Sequence, residues 1–148
     1  MQLVVEGDDG TGLFPHPHTC GGPPPSVRWA PSVPGARSAL LRIRTAAGLH
    51  GSAWDGPIDG DRVSPARPAE SPPIQGLHVG GQVGWLAPCS PPSAPGSPVE
   101  VELLLLSRPL GAPPTAGDAE LGSRAAPWVV ARGVARFELP SAGGGHGP

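Results

Sequence analysis

The sequence predicts a mainly β protein, a sandwich of a large antiparallel sheet and a smaller sheet with a short C-terminal helix. Three observations carry this expectation. In PVEVELLLL, Val99, Val101, Leu103 and Leu105 alternate with Glu100 and Glu102 before the run turns apolar on both faces. A period of two that passes into a two-sided apolar stretch reads as a central strand whose far end is covered from both sides. The run SALLRIR repeats the pattern, with Ala39, Leu41 and Ile43 set against Arg42 and Arg44. Finally, Pro-rich stretches separate the apolar runs, and proline cannot donate to a central ladder, so those stretches are loops or edges.

The other elements follow in chain order. Leu3 to Val5 and the pair Val27 and Trp29 in PSVRW each mark a short strand. Near the C-terminus DAELGSRAAPWVVARG is the one helical pattern, with Asp118 placed to cap the first turn and Gly133 near the stop. Pro127 interrupts it, so the main helix is expected to start or break there. VARFEL then alternates again and sends Ala135, Phe137 and Leu139 inward as a last strand. No repeat of fixed period is present. One domain is expected over residues 1–140, followed by a flexible tail over 141–148 that gives His146 no role.

Composition limits the functions to be considered. Gly and Pro number 23 each among 148 residues, a proportion at which aperiodic chains are often disordered. Against disorder stand a net charge of −2 and the concentrated apolar runs. All ten basic residues are Arg and they are scattered singly, so no basic stripe for nucleic acid is present. The start, MQLVVEGDDGTG, turns acidic after three apolar residues, and no run reaches the ~20 apolar residues that span a bilayer. A soluble cytoplasmic protein without membrane insertion is the expectation. Cys20 and Cys89 are too few and too far apart for a four-thiolate zinc site. They read as two small buried hydrophobes, the favoured assignment, or as a disulfide.

Three stretches together resemble the phosphatidylethanolamine-binding protein family, and specifically its bacterial, Raf-kinase-inhibitor-like branch. Thr19 to Trp29, TCGGPPPSVRW, is similar to the family's Thr-Cys-x-Gly followed by Ser-Pro-Pro-Leu-x-Trp. HGSAWDGP keeps the spacing of His-Trp-Val-Val-Trp-Asn-Ile-Pro through His50, Trp54, Asp55 and Pro57. GLHVGGQVGWLAPCSPP resembles Gly-Tyr-x-Gly-Pro-Cys-Pro-Pro through Gly84, Trp85, Pro88, Cys89, Pro91 and Pro92, with an apolar strand behind it. The resemblance covers roughly residues 12 to 139. It implies a β-sandwich with a surface pocket for anions such as phosphate, built from an Asp-Pro-Asp loop, the His of His-Trp, the Gly-Pro turn and a second His in His-Arg-Tyr. Imidazoles and exposed backbone N–H groups suit phosphate oxygens.

The chain departs from that pattern at most of those places. Ile43 to His50 reads IRTAAGLH where the acidic loop is due, so both carboxylates are gone. The His-Arg-Tyr position falls at Ser97, Pro98 and Val99, and the Gly-Pro turn has become Ala87-Pro88. The resemblance therefore implies a pocket that persists in shape near His50, Trp54, Trp85, Ala87, Pro88 and Ser97 while its preference for phosphate is weakened.

Catalysis finds no support in the sequence: it contains no Gly-x-Ser-x-Gly elbow, no His-Glu-x-x-His and no Gly-rich phosphate loop with Lys. Neither a catalytic residue nor a cofactor is expected. His16 and His18 in PHPH lack further ligands and read as a surface loop rather than a metal site. His78 reads as structural or solvent-facing. Asp55, Asp59 and Asp61 read as a turn-forming acidic loop, and Glu100 and Glu102 as a solvated strand face. His50 is either a ligand contact or a histidine hydrogen-bonded within a loop. Trp54 and Trp85 read as core or pocket wall. APCSPPSAPGSP reads as a rigid loop before the strand, with partner docking as polyproline II the lesser alternative. The expected function is a non-catalytic binding or regulatory protein for a small anion or phosphorylated ligand. The competing expectation is an interaction or structural module with a protein partner, as a homodimer, that keeps the fold without the ligand site.

Overall fold

The computed structural model describes residues 1–65, 73–89 and 95–141. Among these residues the strands are β1 (Gln2–Val5), β2 (Val27–Ala30), β3 (Ser38–Thr45), β4 (Gly48–Trp54), β5 (Arg62–Val63), β6 (Ile74–Gln75), β7 (Pro98–Leu106) and β8 (Val129–Glu138), with one α-helix, α1 (Asp118–Ala125), before β8. They form two antiparallel sheets, a small one in the order β1-β2-β5 and a large one in the order β6-β4-β3-β7-β8. Among the described residues no helix is long and apolar enough to cross a membrane.

The two-sided apolar run places β7 where the sequence predicts, between β3 and β8. Register sets Leu41 opposite Leu103 and Ile43 opposite Val101, and these side chains share one face with Val99, Leu105 and Phe137. The small sheet closes over that face with Val5, Val27 and Trp29. The other face presents Leu40, Leu104, Leu106 and Trp54, covered by Leu110, Ala112 and Ala116 and by Leu121 and Ala125 of α1. Full burial of each large aliphatic side chain contributes about 1.5–3 kcal/mol, so both faces need their cover.

Several expectations change. The helix begins at Asp118 after Gly117 and ends at Ala125, and Pro127 sits in a single 3-10 turn, Ala126–Trp128, that leads into β8. Asp118 thus lies inside the first turn, its carboxylate taken by Arg42 and Arg44 instead of capping. Gly133 stands within β8, because pairing with Leu103 of β7 extends that strand further back than its alternation showed. β4 was not apparent in the sequence: Gly48, His50, Gly51 and Ser52 have little strand propensity, and pairing with β3 overrides it. The His16–His18 segment is a 3-10 turn in which His16 is exposed but His18 is buried, its Nδ1 2.6 Å from the Pro23 carbonyl. Asp55 does more than form a turn. Its carboxylate accepts from Ser38 Oγ (3.0 Å) and from the Leu110 (2.7 Å) and Gly111 (2.8 Å) N–H groups, fixing the segment that covers Trp54. The tail beyond Ser141 and most of the Pro-rich stretch after Cys89 lie outside the described residues.

Glu102 contradicts the reading of a solvated strand face most directly. It is only 5% exposed. Arg42, directly opposite on β3, pairs with its Oε1, and Arg132 Nε donates to its Oε2 at 2.9 Å. Arg42 and Arg44 also reach Asp118 at 2.9–3.1 Å, so the ladder ties the start of α1 to the sheet. Burial pushes the Glu102 carboxyl up, but hydrogen bonds from Arg132 and Arg42 and the nearby guanidinium charges outweigh it and hold it below its ordinary 4.5. Asp118 shows the same balance and lies below its ordinary 3.8. Their folded values are depressed, so their stabilisation is complete above those ordinary values and is lost as pH falls toward the lower ones. Urea unfolding should show stability declining below pH 4.5, with a shallower decline in Glu102→Gln. Glu102→Ala leaves the buried Arg42 with Asp118 as its remaining described carboxylate partner and should lose about 1–3 kcal/mol at neutral pH.

Candidate functional site

The bulge between Ile43 and Arg44 in the β3–β4 pairing leaves His50 out of register while Gly51 stays opposite Ile43. His50 is 4% exposed. Its Nδ1 lies 2.9 Å from the Leu86 carbonyl and its Nε2 lies 2.8 Å from Thr45 Oγ1. A carbonyl can only accept, so Nδ1 carries the proton, and Nε2 accepts from the Thr45 hydroxyl. Thr45 Oγ1 accepts in turn from the Ala47 N–H (3.2 Å). The Leu86 N–H closes the pair by donating to the His50 carbonyl (2.8 Å). Burial, more than any other cause, lowers the His50 pKa below the ordinary 6.5, with the hydrogen bond to Leu86 opposing it and His78 adding to it. The neutral ring is thus a post between β4 and the segment over it.

Trp85 packs against the strand beside this post. A Cβ on Gly51 would stand 2.5 Å from Trp85 Cε3, so only glycine admits the ring there. Gly51 replaces the first Trp of the segment that His50 and Trp54 resemble, and the indole of Trp85 covers that place from the neighbouring loop. Trp85 Nε1 donates to the Gly22 carbonyl at 2.8 Å. The Cys20 N–H donates to the Pro88 carbonyl (3.2 Å), and Cys20 and Cys89 form a disulfide with Cα atoms 4.7 Å apart. This corrects the favoured reading of two separate buried thiols: the turn after Thr19 crosses the Pro88-Cys89 segment, which sequence distance concealed.

Between these loops lies a shallow surface cleft of about 450 Å³ lined by Cys20, Gly21, Gly22, Trp85, Leu86, Ala87 and Cys89. Among the described lining residues none carries a charge. Of the candidates named from sequence, Trp85 and Ala87 line the cleft, while His50 and Pro88 stand behind it as supports. Ala87 is not among the residues with positive φ, so an alanine in place of glycine brings no backbone strain there. Trp54 lies elsewhere, in the core beneath α1, where its Nε1 donates to the Ala112 carbonyl (3.0 Å). Ser97 precedes β7, and its carbonyl accepts the Leu139 N–H (2.8 Å), outside the cleft lining. Sequence reading missed Thr45, Gly51 and Leu86; only the absence of a bulky residue after His50 hinted at the Trp85 seat. Among the described residues no cluster of His, Cys, Asp and Glu could hold a metal ion.

Two solved structures share this arrangement of sheets, each with a TM-score of 0.76. One is a phosphatidylethanolamine-binding protein homologue from Chlamydia trachomatis, 16% identical over 93% of this chain and 95% of its own. The other is YbcL of Escherichia coli, described as a member of the mammalian PEBP family, 14% identical over 94% and 97%. The chain has the phosphatidylethanolamine-binding protein fold. No family model matches the sequence, and no curated protein matches it. At such identities the likeness to the PEBP homologues covers the path of the chain and leaves the site to be argued from its own residues.

Two substitutions test this geometry. Gly51→Ala should displace Trp85, lower stability by about 1–3 kcal/mol through overpacking, and shift the Trp85 indole resonance. His50→Ala orphans the Leu86 carbonyl and the Thr45 hydroxyl and should cost about 1–3 kcal/mol in urea unfolding at pH 7. That loss should shrink as pH falls from 6.5, because the neutral ring's contribution is lost toward its lower folded pKa.

Proposed function

We propose that the chain is a non-catalytic binding module that takes a small neutral ligand with a flat apolar face in the cleft beside Trp85. One observation supports this above others: the histidine that resemblance assigns to the anion pocket uses both ring nitrogens inside the protein. It is buried and neutral, and it points no free donor outward. A phosphate seated in the cleft would give up hydration with no described side-chain charge to compensate, which is costly. The Trp85 ring, the Leu86 and Ala87 side chains and the disulfide favour an apolar face, and the backbone of Gly21 supplies polar contacts at its edge. A chemical role is disfavoured because both cysteines are bridged and His50 has no free nitrogen to act as a base.

A second reading has its own observation. Val79, Val83 and Leu86, in the segment that leads into the cleft wall, are 47%, 53% and 40% exposed. Exposed apolar side chains suit a protein partner or a second copy of the chain. Light scattering separates the readings, since a small-ligand module is expected to be monomeric and a stable dimer at micromolar concentration favours the interaction module.

Indole serves as the probe for the cleft. It is expected to raise the Tm and to move the amide resonances of Gly21, Gly22, Leu86 and Ala87, and Trp85→Ala should abolish both effects. Inorganic phosphate at millimolar concentration is expected to leave the Tm unchanged. A phosphate-dependent rise that His50→Ala removes would overturn the proposal and restore the anion pocket.

A further inference from the structure

The bridge beside the cleft joins two loops that are anchored very differently. The Trp85–Cys89 segment is bound to the large sheet through the paired hydrogen bonds of Leu86 with His50. The turn that carries Cys20 is held mainly by bonds within itself. The Thr19 N–H and hydroxyl donate to the His16 carbonyl, the Gly22 N–H donates to the Thr19 carbonyl (3.0 Å), and the buried His18 ring meets the Pro23 carbonyl. Gly22 sits so close to the Pro17 carbonyl that a Cβ would lie 1.9 Å from it. Cys20 itself is exposed and adopts φ +45°, a conformation that L side chains rarely hold without an external restraint. Among the described residues, the direct ties between the turn and the opposite wall are the bridge, Cys20 N–H to Pro88 and the Trp85 indole to Gly22.

We propose that Cys20–Cys89 is a thiol–disulfide exchange site, reducible in the folded protein by a cellular dithiol, and that its state decides whether the Cys20–Gly22 turn lies against Trp85. The inference rests on the anchoring of the loops and not on what the cleft binds. Exchange begins at the exposed partner. A thiolate of the dithiol attacks Cys20 Sγ, forms a mixed disulfide and expels Cys89 as a thiolate, which takes up a proton. The second thiolate of the dithiol then attacks its own sulfur in that mixed disulfide, closes the dithiol to a cyclic disulfide and releases Cys20. The protein gains two electrons and two protons, and the dithiol loses them. With the bridge open, the strained Cys20 relaxes, the Gly22 carbonyl leaves the Trp85 indole, and the turn swings off. The Leu86 side stays in place because β4 holds it. An oxidising compartment keeps the cleft closed on that side and a reducing one opens it.

The test uses the whole chain in native buffer with dithiothreitol as the reductant, quenched with N-ethylmaleimide and followed by mass spectrometry. The rate of gain of two maleimide adducts should be independent of urea below the unfolding transition. A rate that climbs with urea from zero, in step with global unfolding, overturns the proposal. With limiting glutathione and a rapid quench, the glutathione adduct should appear on the Cys20 peptide and maleimide on the Cys89 peptide, and the reverse distribution overturns the assigned order. In the reduced, folded protein the Gly21 and Gly22 amides and the Trp85 indole should shift while the Leu86 amide does not. Unchanged spectra defeat the latch even if the bridge is reducible.

Discussion

The paired hydrogen bonds between His50 and Leu86 determine what kind of surface this protein presents. Two backbone-linked positions on different elements are joined twice, once through N–H to carbonyl and once through the imidazole, and the ring is fixed from behind by Thr45. A histidine used this way cannot also serve a ligand, because each nitrogen of a neutral imidazole has a single role. The loop it holds delivers Trp85 onto the bare backbone of Gly51, and from there the cleft wall, the bridge and the crossing turn all take their places.

The large sheet makes this possible by separating its two faces. On one, aliphatic side chains from β3 and β7 pack under the small sheet. On the other, apolar residues give way along the same strands to Arg42, Arg44, Glu100 and Glu102, which receive the first turn of α1 through Asp118. Buried ion pairs contribute little net stability against apolar replacements. Their geometry nevertheless ties down the start of α1, since the Asp118 carboxylate meets both Arg42 and Arg44. The cleft, on the rim of the opposite layer, is independent of that arrangement.

The architecture was legible wherever burial imposed a period. Val99 to Leu105 and Ala39 to Ile43 announce their strands because both faces or one face must avoid water, and the small sheet and the last strand follow the same logic. β4 was hidden because its residues are chosen for neighbours distant in sequence: Gly51 for Trp85, His50 for Leu86. Glu102 reads as solvated in any local window, because the arginines that take its carboxylate, Arg42 and Arg132, come from strands distant in sequence. The site was legible as a neighbourhood, since the stretches around Cys20, His50 and Trp85 do converge, but not as chemistry. Whether a histidine faces a ligand or a carbonyl depends on one loop's exact path, and the pairing of Cys20 with Cys89 depends on two.

The central claim is that His50 is a neutral structural post with its proton on Nδ1. Long-range nitrogen–proton NMR of the imidazole rings across pH 5 to 8 tests it most directly. The account predicts that His50 keeps the Nδ1–H tautomer through most of that range, titrates below the ordinary 6.5, and does not respond to inorganic phosphate. A ring that protonates at or above 6.5, or whose titration moves upward when phosphate is added, would contradict it.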